Sequence, residues 1–171
     1  SMTSEELIKV LNLYFGQLGP AVQANNGEIL KFIGDAMLAI FPVDGDDDNI
    51  ANACRQCFEA AQAAQEKLAK WSQLRVRNGQ ASVTSGIGMH VGEVVYGNIG
   101  TPGRLDFTVI GEAVNRVARV EAMCSKLGQS LLATEDFVEH IEQPTQSLGA
   151  HALKGIEEPV EIFTLDTEPS V

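Results

Sequence analysis

The chain has 171 residues, 44% of them hydrophobic, and sets 23 acidic against 12 basic side chains for a formal net charge of −11. That length and a mean hydropathy of +0.00 suit one ordinary soluble globular domain with one core and exclude disorder as a whole-chain description. Carboxylates spread along the sequence exclude a nucleic-acid backbone or an anionic membrane as partner, and three cysteines exclude a complete disulfide framework and suit a reducing compartment.

Thr3-Ser-Glu-Glu6 has the form of a capping box. Behind it Leu7, Val10, Leu11, Tyr14, Phe15, Leu18 and Val22 recur at helical spacing, so an amphipathic helix is expected from Thr3 to about Ala24, kinked at Gly19-Pro20. Two short strands, 28–33 and 36–41, are expected to hinge on Gly34-Asp35 as a hairpin that holds Asp35 rigidly. An acidic loop over 42–48 offers Asp46, Asp47 or Asp48 as the cap of a long helix reaching Lys70 or Leu74, with Arg75 to Gln80 as a polar connector. Cys54 and Cys57 fall in the alanine-rich part of that helix, with no second pair to complete a zinc site, and read as buried helix cysteines.

Residues 83–91 and 93–99 are expected to form a second hairpin about Gly92, and Thr101-Pro-Gly103 turns the chain into a strand over 107–110. Gly111 opens a helix over 112–126. A short strand over 130–133, a brief helix capped by Thr134 and running to His140, and a hairpin of 150–153 with 160–165 close the sequence. Helices interleaved with hairpins favour an α+β fold with a mainly antiparallel sheet, and no domain boundary is visible. No run approaches the ~20 apolar residues of a bilayer span.

The glycine-rich run from Gly86 to Gly100, followed by Arg104 to Arg119, points to phosphate chemistry, although glycine spacing alone does not decide it. Asn115 and Arg119 lie one turn apart on the expected helix, and an amide beside a guanidinium suits a ribose next to a phosphate. The plainer reading is a polar helix face with Arg119 paired to Glu121 or Glu112. Lys31 and Asp35 would share a side if the strand stayed extended, and a solvated edge with a turn-forming Asp accounts for them equally. A carboxylate at a rigid hairpin tip also suits Mg²⁺, which takes few protein oxygens besides substrate phosphates. Thr108 caps the following helix or touches a ligand, capping being the simpler account, and Lys154 is a turn lysine or a cation reaching a phosphate. His90 and His151 show no metal-ligand spacing and read as structural or exposed.

Lys31-Phe-Ile-Gly-Asp-Ala-Met-Leu-Ala-Ile-Phe41, the run Gly86 to Gly100, the run Asp106 to Glu121 and the run Ala152 to Phe163 resemble, in order and spacing, the signature segments of the class III nucleotidyl cyclase catalytic domain. The resemblance covers nearly the whole chain. It implies a single catalytic domain over 1–171 with a ferredoxin-like βαββαβ core, additional strands and helices, and helices on one face of the sheet. It also implies a head-to-tail homodimer with two active sites at the subunit interface. On this resemblance Asp35 is one of two aspartates holding a pair of Mg²⁺ or Mn²⁺ ions, and Lys31 reads the purine as an adenine-type residue. Thr108 takes the second purine-reading position, Asn115 orients the ribose, Arg119 stabilises the transition state and Lys154 binds the terminal phosphates. The implied activity is that of an adenylate cyclase, converting ATP to 3′,5′-cyclic AMP and pyrophosphate by two-metal-assisted attack of the ribose 3′-hydroxyl on the α-phosphate. The implied setting is cytoplasmic, in a soluble protein or behind a membrane anchor, with no membrane or nucleic-acid contact by the domain itself.

Two departures qualify the resemblance. Threonine at position 108 stands where many adenylyl cyclases have aspartate, so base choice rests mainly on Lys31. The family's other metal aspartate belongs to a Phe-x-Asp-Ile-x-Gly-Phe-Thr-like motif that this sequence lacks. The first strand is therefore expected to be missing, the chain to be part of a longer protein, and the fragment by itself to be inactive. Alternatives are a non-catalytic cyclase homology module, a guanylate cyclase, or a plain protein-interaction domain. A diguanylate cyclase or polymerase-palm domain would need an acidic Gly-Gly-Asp/Glu-Glu-Phe-like signature that is not found.

Overall fold

The computed structural model describes residues 2–43 and 46–165, so Asp44 and Gly45 of the expected acidic loop lie outside the described residues. The chain divides into two compact units, one of Ser1–Pro42 and Gln56–Ser85, the other of Val43–Arg55 and Gly86–Val171.

In the first unit, helix α1 (Ser4–Ala24) starts at the expected capping box: the Glu6 amide donates to Thr3 Oγ1 at 3.2 Å, and the Thr3 amide donates to Glu6 Oε2 at 2.7 Å. Strands β1 (Glu28–Ile33) and β2 (Ala36–Ile40) form the expected antiparallel hairpin, with an irregularity between Ile29 and Lys31. Gly34 holds φ at +59° in its turn, a value L side chains rarely adopt. The Phe15 ring of α1 lies 4.5 Å from that of Phe32 on β1. The long helix α2 (Asp47–Arg77) begins within the second unit and from Gln56 belongs to the first; it is capped by Asp46, whose Oδ1 accepts from the Asn49 amide at 2.8 Å.

The polar connector expected from Arg75 is corrected. The helix continues to Arg77 because Arg75 is buried, its guanidinium 5.1 Å over the Trp71 ring and its Nε donating to the Ala81 carbonyl at 2.9 Å. Ser85 ends this unit under two tethers, with the Tyr14 hydroxyl donating to its Oγ at 2.5 Å and Gln65 Nε2 donating to its carbonyl at 2.8 Å.

In the second unit, β3 (Ile87–Met89), β6 (Leu131–Thr134), β8 (Val160–Leu165) and β7 (Thr145–His151) form a four-stranded sheet in the order β3-β6-β8-β7. β3 runs parallel to β6, and the other pairings are antiparallel. Strands β4 (Val95–Thr101) and β5 (Arg104–Ile110) make a separate hairpin. The expected hairpin about Gly92 therefore does not form. β3 finds its partner across a crossover that contains helix α3 (Glu112–Leu127), as parallel pairing requires. Val120, Cys124, Leu132, Leu153, Val160 and Ile162 build the core between α3 and the sheet. The closing hairpin is longer than expected, because β7 begins at Thr145. The brief helix α4 (Glu135–Val138) follows Thr134, whose side chain makes no capping bond. Among the described residues no helix is long and apolar enough to cross a membrane.

Candidate active site

Gly86, Gly88 and Gly92 of the glycine-rich run are explained by close approach of α3. A Cβ at Gly88 would fall 2.7 Å from the Glu121 backbone nitrogen and 3.0 Å from the Val117 carbonyl oxygen, and one at Gly86 would fall 2.5 Å from Cys124 Cβ. Helix and strand can lie this close only where the strand has no side chain. The helix is thereby fixed with Val120 and Cys124 inward. It closes on Gly128, which at φ +63° bonds back to the Cys124 and Ser125 carbonyls.

Asn115 and Arg119 are both exposed on this helix, and a rise of about 1.5 Å per residue separates their positions by about 6 Å along its axis. The pairing of Arg119 with Glu112 does not occur, because Glu112 Oε1 accepts from Arg116 Nη2 at 3.1 Å. Among the described residues neither Asn115 nor Arg119 has a hydrogen-bond or ion-pair partner. An amide and a guanidinium thus stand free together on a rigidly seated helix.

The other sequence candidates fall as follows. Thr108 lies within β5 opposite Gly97, and the α3 N-cap is Gly111, which makes no side-chain cap bond, so the capping account of Thr108 is overturned. Lys154 is exposed in the turn after β7, next to the Ile156 amide bond to the Leu153 carbonyl. Lys31 is half-buried on β1 opposite Leu38, and Asp35 is exposed at the hairpin tip. The positive φ of Gly34 ends the extended geometry, so the expected alternation that would set Asp35 on the side of Lys31 stops at Ile33. Lys31 and Asp35 belong to the first unit, and Thr108, Asn115, Arg119 and Lys154 to the second.

Among the described residues no group of three or more His, Cys, Asp or Glu side chains is placed to share a metal ion. Asp35 alone fits the part of one carboxylate donor to an ion held mainly by phosphate oxygens.

His90, expected to be structural or exposed, falls on the structural side. Its side chain is 5% exposed just after β3, with Nδ1 2.7 Å from Thr134 Oγ1. Its legible signal was position: a lone polar residue closing an apolar strand run. Cys54 and Cys124 are buried, and burial pushes each thiol up to about 11.

The sequence family described as the adenylate and guanylate cyclase catalytic domain matches residues 1–166. The chain belongs to this family. An adenylate cyclase from Anabaena cylindrica is 35% identical over 144 residues, which span 84% of this chain and 28% of that protein. Adenylate cyclase 1 of Rhizobium meliloti (strain 1021) is 30% identical over 163 residues, 93% of this chain and 24% of that protein. The cyclase domain thus spans about a quarter of the length of these curated relatives. Among solved structures, the guanylyl cyclase Cya2 superposes with a TM-score of 0.79 at 27% identity, covering 96% of this chain and 82% of its own. The adenylyl cyclase CyaB from P. aeruginosa gives a TM-score of 0.79 at 23% identity over 99% of this chain and 86% of its own, a likeness of fold. The α+β architecture, with its antiparallel pairings and flanking helices, is that of cyclase catalytic domains.

Proposed function

We propose that this cyclase domain converts ATP to 3′,5′-cyclic AMP and pyrophosphate at sites completed by a second copy of the chain. The observation that carries the reading is the exposure of Asn115 and Arg119 together on α3 with no partner among the described residues. Polar side chains held on a fixed helix with only water as partner are available to a ligand. The similarity to two adenylate cyclases supports the choice of nucleotide.

In this reading the ribose 3′-oxygen attacks the α-phosphorus. The O3′–Pα bond forms as the bond from Pα to the bridging oxygen breaks, pyrophosphate leaves with the electron pair, and the hydroxyl proton is released. Asn115 holds the ribose in the attacking orientation. Arg119 donates to the α-phosphate oxygens as negative charge builds there, and Lys154 neutralises the terminal phosphates. Lys31 and Thr108 read the adenine edge. Asp35 would be one ligand of a divalent cation, Mg²⁺ or Mn²⁺, which would supply charge neutralisation and a lower hydroxyl pKa.

The second copy is supported by the β4–β5 hairpin. Val95, Ile99 and Ile110 are exposed on one of its faces and Tyr96, Leu105 and Phe107 on the other, more contiguous apolar surface than a lone two-stranded hairpin retains in water. We assign this surface to a head-to-tail homodimer.

The test is nucleotide turnover, assayed on this chain and on the full polypeptide of its reading frame, with ATP or GTP and with Mg²⁺ or Mn²⁺. The expected result is cyclic AMP from ATP in excess of cyclic GMP from GTP with the full polypeptide, abolished by Arg119→Ala, while this chain, in which Asp35 is the one assigned metal carboxylate, should be inactive or severely impaired. No turnover and no nucleotide binding in either polypeptide would overturn the proposal.

A further inference from the structure

The segment between β3 and β4 passes beneath the start of α3. A Cβ at Gly92 would lie 2.6 Å from Ala113 Cβ and 3.2 Å from His90 Nε2, and one at Gly111 would lie 3.0 Å from the Glu93 carbonyl oxygen. The first turn of α3 therefore rests directly on residues 92 and 93. What anchors that segment from the other side is His90, whose Nδ1 meets Thr134 Oγ1 at 2.7 Å.

Thr134 is fully buried at the junction of β6 and α4, in the N-cap position of α4, yet its hydroxyl makes no cap bond. The hydroxyl serves the imidazole instead. The charged groups facing His90 come from both neighbouring helices: Asp136 of α4, with Oδ2 3.9 Å from Nδ1, and Arg116 and Glu112 of α3, already joined to each other.

We propose that His90 is a positioning residue for Asn115 and Arg119: its neutral ring, hydrogen-bonded to Thr134, holds the β3–β4 segment against the first turn of α3, and protonating the ring loosens that turn. The inference rests on the reading of Asn115 and Arg119 as nucleotide-contacting residues. A neutral imidazole satisfies the Thr134 hydroxyl as donor or acceptor. A protonated one keeps a donor at Nδ1 but can no longer accept from the Thr134 hydroxyl, and it is drawn toward Asp136, 3.9 Å from Nδ1, and repelled by Arg116, which weakens the hold on Thr134. Burial, which disfavours the charged ring, lowers the His90 pKa from its ordinary value, with Asp136 and Glu112 opposing and Arg116 adding to the shift. At neutral pH the ring is in the holding state.

The test compares His90→Asn, which places a non-titrating amide at the Nδ1 position, with His90→Leu and Thr134→Val. With ATP, the wild type should lose turnover as pH falls below 6.5, while His90→Asn should keep turnover at pH 7.5 and lose that acid limb. His90→Leu and Thr134→Val should lower kcat by ~10-fold or more with KM little changed, since a small misplacement of an aligning group acts on the transition state. Amide hydrogen exchange over residues 112–119 should quicken in the wild type as His90 titrates, followed by its ring proton resonance, and should not in His90→Asn. Identical exchange and turnover profiles in wild type and His90→Asn, or a His90 midpoint at or above 6.5, would overturn the inference. If no nucleotide is turned over at any pH, the proposed function fails while the exchange titration still decides the role of His90.

Discussion

Gly88 of β3 and Glu121 of α3 are in backbone contact: a Cβ on the glycine would sit 2.7 Å from the Glu121 nitrogen and 3.0 Å from its Cα. Helix α3, and with it Asn115 and Arg119, is set by this approach rather than by any side-chain interaction of its exposed face.

Gly88→Ala forces the helix off the sheet. The cost of overpacking against backbone is about 1–3 kcal/mol, read as a lowered urea midpoint with an unchanged m-value. Gly16→Ala is the opposite case. It lies inside α1 with nothing within 4 Å of the new methyl, and should stabilise by about 0.5–1 kcal/mol. Equal effects of the two substitutions would refute the close-approach account.

Arg119→Ala and Asn115→Ala should separate function from stability. Both side chains are exposed and lack partners among the described residues, so unfolding free energy should stay within about 0.5 kcal/mol of wild type. Cyclic AMP formation should fall ~10²–10³-fold in Arg119→Ala. A variant that melts early would instead show a structural role.

Lys31→Glu tests base reading. Exchanging a donor for an acceptor on β1 should move the kcat/KM ratio toward GTP by ~10-fold or more, because a polar reading group left unpaired penalises the wrong base. An unchanged ratio, with both nucleotides equally weakened, would make Lys31 a general electrostatic residue.

Phe107→Asp tests the second copy. The Tyr96 and Phe107 rings lie 5.9 Å apart and are both exposed on the hairpin. A carboxylate there should weaken self-association at least ~10-fold in sedimentation equilibrium, and turnover should become steeply concentration-dependent. Unaltered association would place the interface elsewhere.

Stability should fall on both sides of neutrality. With the His90 pKa lowered in the folded state, the unfolded chain binds the extra proton first, so stability is lost as pH drops below 6.5 toward the folded value and then levels. With Cys54 and Cys124 raised from 9.0 to about 11, the unfolded thiols ionise first, and stability is lost as pH rises through that interval. Urea unfolding across pH reads both limbs. His90→Asn should flatten only the acid one, and native alkylation at pH 8 should spare Cys54 and Cys124.

Whatever rests on neighbours in the chain was legible in the residues themselves. The Thr3–Glu6 capping box, the Asp46 cap, the Gly34-Asp35 turn and the helix carrying Asn115 and Arg119 each depend on groups within a turn of one another, so residue type and spacing suffice. The same holds for the family resemblance, which is a statement about ordered motifs. Only the tertiary structure decided the partner of β3. Glycines at 86, 88 and 92 look alike as hairpin punctuation and as helix-approach sites, and which they are depends on α3, some thirty residues further on. Folding likewise decided that Thr108 sits opposite Gly97 and leaves the α3 N-cap to Gly111, that Arg75 extends α2 by stacking on Trp71, and that His90 finds Thr134. Those outcomes turn on burial and on bonds between residues brought together only when the core closes, where the cost of leaving a polar group unsatisfied outweighs local preference.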